Sequence, residues 1–201
     1  MNKQNFFGLG FITLIGFSAL GFLINTLWSE QPWYFPFLNQ VNFFIQIPIG
    51  LVYGFATAFV GWKLVNLPKL RDGFKDYSRL LSGFNLNIHE IIFISFCAGF
   101  GEEVLFRGAI QQFWGVWITS FFFVAIHGYL NPKNWKLSIY SIYMTLVIAG
   151  IGYGYEYIGI WSAIAAHFAI DVYLLKKMVD EEENELNNIN DEEPPFQTPL
   201  D

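Results

Sequence analysis

The sequence predicts an all-α fold, a polytopic membrane bundle of about six transmembrane helices. Three observations carry that prediction. Of 201 residues, 54% are hydrophobic and 20% aromatic while only 14% are charged, against roughly 25% charged in an average soluble domain. A soluble protein of this size leaves much of its area exposed and has nowhere to hide such an apolar surplus. Uncharged runs of about 20 residues, the length that crosses a bilayer as a helix, recur along the chain. The charges between them are segregated, as orientation in a membrane requires.

Taken in order, Phe6 to Trp28 contains no charge. It follows Lys3, as a signal peptide would. The run is longer than a typical signal core, however, and no small-residue cleavage site precedes Ser29-Glu30, so it reads as a retained span. A second uncharged stretch reaches Trp62. Pro32 and Pro36 interrupt its start, which places the span at about Phe43 to Trp62, with Pro48 in its first turns, where proline is best tolerated. Residues 63–86 form a basic loop containing Lys63, Lys69, Arg71, Lys75 and Arg79. Asn87 and Glu90 have the spacing of a helix N-cap with an acid at its third position. From Ile91 the chain is apolar again, but this run includes Glu102, Glu103 and Arg107. Trp114 to Tyr129 is predicted as the next span, ended by Asn131-Pro132, and Leu137 to Tyr155 and Ile158 to Leu175 complete the six. The domains expected are 1–86, two helices and a basic cytoplasmic loop; 87–177, a helical core; and 178–201, an acidic disordered tail.

The net charge of −6 conceals a division. Residues 180–201 hold nine acids and no base, leaving 11 bases against 8 acids in the first 179 residues. The bases make no stripe suited to nucleic acid, so the partners expected are the lipid bilayer and whatever the membrane-embedded residues act on. The lone Cys97 has no internal disulfide partner. With both termini cytoplasmic, every base except Arg107 falls on the cytoplasmic side, in agreement with the positive-inside rule.

Arg107 belongs to a small set of ionisable residues inside apolar runs, with Glu102, Glu103, His127, His167 and Asp171. Each costs about 2.5–3.5 kcal/mol or more at a bilayer centre, so such residues face the protein interior and mark function. Glu103 and Arg107 are i,i+4 with the acid first, the favourable order for an ion pair. Glu102 lies about 100° around the helix, so one carboxylate can be neutralised while the other stays free. His127 falls on the next, antiparallel helix. His167 and Asp171 are again i,i+4. A single Glu–Arg pair can be a bundle staple and a single histidine a structural hydrogen-bonder; the whole set points to chemistry. His89 and Glu156 read as interfacial.

As motifs these residues are E-E-x-x-x-R (Glu102, Glu103, Arg107), F-x-x-x-H (Phe123, His127) and H-x-x-x-D (His167, Asp171). Their order and spacing resemble the CAAX protease and bacteriocin-processing (CPBP, or Abi) family, which includes the type II CAAX prenyl endopeptidases. The resemblance covers about residues 88–175. It implies an intramembrane endopeptidase, a hydrolase cleaving a membrane-associated or prenylated peptide or protein substrate. Glu102 and His127 would activate a water, Glu103 would be held by Arg107, and His167 would stabilise the oxyanion. An ionised Asp171 cannot donate to an oxyanion, and it is expected to orient His167. No cofactor is required on this reading. Zinc, with Glu102, His127, His167 and Asp171 as ligands, is the alternative, although the H-E-x-x-H signature is missing: His89-Glu90 begins it, but Phe93 stands where the second histidine would be. The competing function is a non-catalytic membrane partner, such as an immunity or scaffold protein retaining the fold. The location expected is a bacterial plasma membrane.

Overall fold

The computed structural model describes residues 3–38, 41–74, 84, 86–131 and 133–192. Among them the regular structure is entirely helical. Helix α1 is Lys3–Trp28, with a π-helical turn at Ile12–Phe17; α2 is Phe43–Val65. Helix α3, Ile88–Leu105, continues through a second π turn, Phe106–Ile110, into α4, Gln111–Ile126. Helices α5, Trp135–Tyr157, and α6, Ile160–Glu192, complete the chain.

Among the described residues, four runs are long and apolar enough to cross a membrane: α1, α2, the 39 residues Ile88–Ile126, and α5. Their outer faces are bare hydrocarbon: Phe44 is 80% exposed and Val52 70%. No aqueous surface sustains that, and the chain is an integral membrane protein.

The run Ile88–Ile126 is a folded hairpin. Gly115 sits at φ +68°, a conformation that breaks the helix and that glycine alone adopts without strain. About this point the chain doubles back, so that Phe106 packs against Phe123 at 4.9 Å and Glu102 meets His127. The expected span from Trp114 to Tyr129 is corrected accordingly. The returning arm, Val116 to Ile126, is only about 16 Å long at 1.5 Å per residue, about half of a hydrocarbon core. It ends at His127, and the described residues between it and α5, 128–131 and 133–134, are not helical. Backbone of that kind is tolerated at membrane depth only where protein buries it or a wet cavity meets it.

Close packing of small residues holds the other helices. The buried stripe of α2 is Gln46, Gly50, Gly54, Ala58, Gly61 and Val65. A Cβ on Gly50 would strike the Ser162 carbonyl, and one on Gly54 the Ala166 carbonyl. Small residues at this spacing let helix backbones approach in lipid, where no hydrophobic force draws them together. The register rises together on both helices, so α2 and α6 are parallel. Gln46 ties their ends: its Oε1 accepts from the Trp161 amide at 3.1 Å while its Nε2 donates to the Val41 carbonyl at 2.7 Å. Helix α1 lies parallel to α3 in the same way, with Gly101 against the Thr13 carbonyl and Gly21 against Val104.

The capping box at the start of α3 is present, Asn87 Oδ1 accepting from the Glu90 amide at 3.1 Å and Glu90 Oε2 from the Asn87 amide at 2.8 Å. Lys3 pairs with Glu90 at 2.7 Å, Lys136 with Asp72 at 3.4 Å, and Asn134 donates to the Gly73 carbonyl at 2.8 Å. These contacts gather the N-terminus, the segment after α2 and the start of α5 at one end of the bundle. Glu156, read as interfacial, accepts from Gln111 Nε2 at 3.1 Å. Helix α6 runs on to Glu192, past the expected domain boundary at 177. Met178 and Val179 are still buried, Val179 in a cluster with Phe84, Leu86 and Ile91, and Lys176 pairs with Asp180 one turn on. Lys75 and Arg79 of the expected basic loop, Pro132, and residues 193–201 of the expected tail lie outside the described residues.

Candidate active site

Glu102 and Glu103 lie near the end of α3, about 21 Å along the helix from Ile88 at 1.5 Å per residue. Gly101 sets their position, because only a residue without Cβ lets α3 rest on the π turn of α1. The second π turn then begins at Phe106 and carries Arg107. Such turns insert one extra residue and frequently occur at functional sites.

Glu103 and Arg107 are both fully buried, with Glu103 Oε2 3.1 Å from Arg107 Nε. The guanidinium also donates from Nη2 to the Ile148 carbonyl of α5 at 3.4 Å. The other oxygen of Glu103 lies 2.8 Å from His167 Nδ1, so one carboxylate joins α3 to α6 through the imidazole. Asp171 Oδ2 is 3.5 Å from His167 Nε2. The expected assignment of the orienting role to Asp171 therefore shifts: the shorter contact on the ring is the hydrogen bond that Glu103 accepts from Nδ1, and Nε2 points toward the partly exposed side of the cluster where Asp171 stands.

Glu102 is on the other face. Its Oε2 is 3.2 Å from His127 Nε2, with the side chains 13% and 30% exposed. His127 Nδ1 is 2.7 Å from the Phe123 carbonyl. A carbonyl oxygen only accepts, so Nδ1 carries the hydrogen. In a neutral ring Nε2 is then an acceptor too and faces an acceptor carboxylate. The pair thus needs a shared proton, or a donor such as water beside it.

Three carboxylates, one guanidinium and two imidazoles therefore meet between α3, α4 and α6, and all six membrane-embedded residues singled out in the sequence are in the cluster. The cluster is electrically neutral when both rings are doubly protonated. The ring at its centre was not anticipated. Phe123 stacks on His127 at 4.3 Å, lies edge-on to His167 at 5.7 Å, and has the Arg107 guanidinium over it at 5.3 Å. Its place in the F-x-x-x-H motif is the only signal the sequence offered. Among the described residues, no group of three His, Cys, Asp or Glu side chains is arranged to hold a metal ion. Of the four residues named for zinc, Glu102 faces His127 and Asp171 faces His167.

Residues 84–173, which contain the whole cluster, match the family model described as type II CAAX prenyl endopeptidase Rce1-like. This segment is similar to the Rce1-like family. The uncharacterized protein YpbD of Bacillus subtilis (strain 168) is 38% identical over 86 residues, 42% of this chain and 43% of that protein. The matched region thus spans less than half of the relative. No solved structure matches the chain. Helices α1 and α2 lie outside the Rce1-like segment, yet α1 seats Glu102 through Gly101 and α2 seats α6.

Proposed function

We propose that the protein is an intramembrane endopeptidase that cleaves a peptide bond in a membrane-associated or prenylated substrate with a water activated by Glu102 and His127. The observation that carries this reading is the 3.2 Å approach of Glu102 to His127 across the hairpin, beside a second carboxylate already neutralised by Arg107. A water touching both groups gives one hydrogen to each. Glu102 takes its proton as the water oxygen attacks the scissile carbonyl, and the proton passes to the leaving amine as the C–N bond breaks. His167, its Nδ1 engaged by Glu103, presents Nε2–H to the oxyanion; a preorganised donor of this kind is commonly worth about 3–4 kcal/mol. Asp171 balances the charge on that ring. The mechanism uses no cofactor, and its partners are the lipid bilayer and a protein or peptide within it.

General-base removal typically costs about 10²–10⁴-fold in rate. Glu102→Gln should therefore abolish detectable cleavage while membrane insertion and the thermal midpoint in detergent stay as in the wild type. Comparing the membrane peptidomes of cells carrying either form reads this directly: peptides that accumulate only with the wild type are products. Identical peptidomes, with a biological activity indifferent to Glu102, would instead favour a non-catalytic membrane partner.

A further inference from the structure

Phe123 touches every basic group of the cluster, and its position cannot be put down to core filling alone. Its backbone carbonyl accepts from His127 Nδ1 at 2.7 Å. Its ring lies 21° from parallel with that imidazole at 4.3 Å. The guanidinium of Arg107 stands over the same ring at 5.3 Å, and Phe106 closes on it at 75° and 4.9 Å. The residue is 4% exposed, so no water competes for its faces. An aromatic face carries negative electron density, and a desolvated cation–π contact is worth more than an exposed one.

We propose that Phe123 is a positioning residue of the hydrolytic site: its ring and its carbonyl together fix the plane of His127 so that Nε2 faces Glu102, while the π face offsets the positive charge of Arg107. The inference rests on the hydrolytic reading for its consequence in turnover. Its geometric part does not. A leucine fills much of the same volume and keeps the backbone carbonyl, but has no π face. A fluorinated phenylalanine keeps shape and packing while draining electron density from the ring.

The test replaces Phe123 with leucine and with 4-fluoro-, 3,4,5-trifluoro- and pentafluorophenylalanine in the full-length protein, with ¹⁵N-labelled histidine, in lipid bilayers. Solid-state NMR of the ring nitrogens should show the His127 Nε2 signal moving stepwise along the fluorine series and collapsing to an averaged position in Phe123→Leu, with thermal midpoints unchanged along the fluorine series. Cleavage of a substrate whose product peptides peptidomics identifies should fall in kcat along the same series, by on the order of tenfold at pentafluorophenylalanine, with KM unchanged. A His127 signal identical to wild type in both the leucine and the pentafluoro forms overturns the proposal. If the wild type cleaves nothing, the hydrolytic reading fails, while the NMR series still decides whether Phe123 positions the ring.

Discussion

A carboxylate with no exposed surface, such as Glu103, survives inside a membrane protein because cationic hydrogen-bond donors meet it. Here Arg107 stands on one oxygen and His167 on the other. Removing one partner of a buried pair leaves the other charge uncompensated, at a cost of about 3–5 kcal/mol. Arg107→Met should therefore lower the unfolding free energy by about that much, measured by denaturation in detergent. Adding Glu103→Leu to it should restore much of the stability and none of the cleavage, because an apolar pair is tolerated where a lone charge is not. The Glu103–Arg107 half of this arrangement was legible in the sequence, since i,i+4 spacing on one helix fixes the contact. The Glu103–His167 half was not. It depends on how α6 is rotated against α3, which is decided by Gly99 fitting close to Ile164 and Phe168 and which no spacing within one helix encodes. Reading Asp171 as the orienting group followed from the same limit, since it favoured the local partner over the distant one.

At the scale of elements, glycine placement governs which helices meet. Gly54 faces the Ala166 carbonyl, one residue before His167. Gly54→Ala should force α2 and α6 apart, with a cost of about 1–3 kcal/mol for overpacking and a loss of cleavage that exceeds the loss of stability, because His167 moves with the helix. Gly115→Ala makes an instructive contrast. A Cβ there meets open space, so the whole cost is backbone strain at φ +68°, about 1–3 kcal/mol. Thermal unfolding of the two variants should show losses of similar size. A Gly115→Asn form should recover part of its loss, since asparagine tolerates positive φ better than alanine, and Gly54→Asn should recover none. The capping box at Asn87 and Glu90 was readable because caps are local chemistry. The short returning arm was not, since hydropathy reports that a segment avoids water without saying where the backbone turns. Gly115, between Trp114 and Val116, was the available mark. The acid-rich run after Lys177 was read as disordered from composition, yet the helix continues to Glu192, supported at its base by the burial of Met178 and Val179.

Over the whole molecule, polarity separates the two ends of the bundle. Lys3 meets Glu90, Lys136 meets Asp72 and Asn134 meets the Gly73 carbonyl at one end, while the segment from Ser29 to Leu38, with no Lys or Arg, lies at the other. The hairpin gives this polarity a functional meaning. His127 closes the short arm, and a few residues on Asn134 binds the Gly73 carbonyl at the basic end, so the partly exposed Glu102–His127 pair is joined to that end by a short stretch of chain. If basic loops stay on the cytoplasmic side, the proposed hydrolysis draws its water and its substrate from the cytoplasm. Single cysteines decide the matter, introduced one at a time after Cys97→Ala removes the buried native thiol. Lys69→Cys and Lys133→Cys should resist a membrane-impermeant maleimide added to intact cells and react once the cells are opened, whereas Glu30→Cys should react from outside. The opposite pattern would place the basic end outside and require a substrate that arrives from the exterior. Labelling of Lys69→Cys and Lys133→Cys from different sides would break the common end that the Lys136–Asp72 and Asn134–Gly73 contacts define, and with it the path from that end to His127.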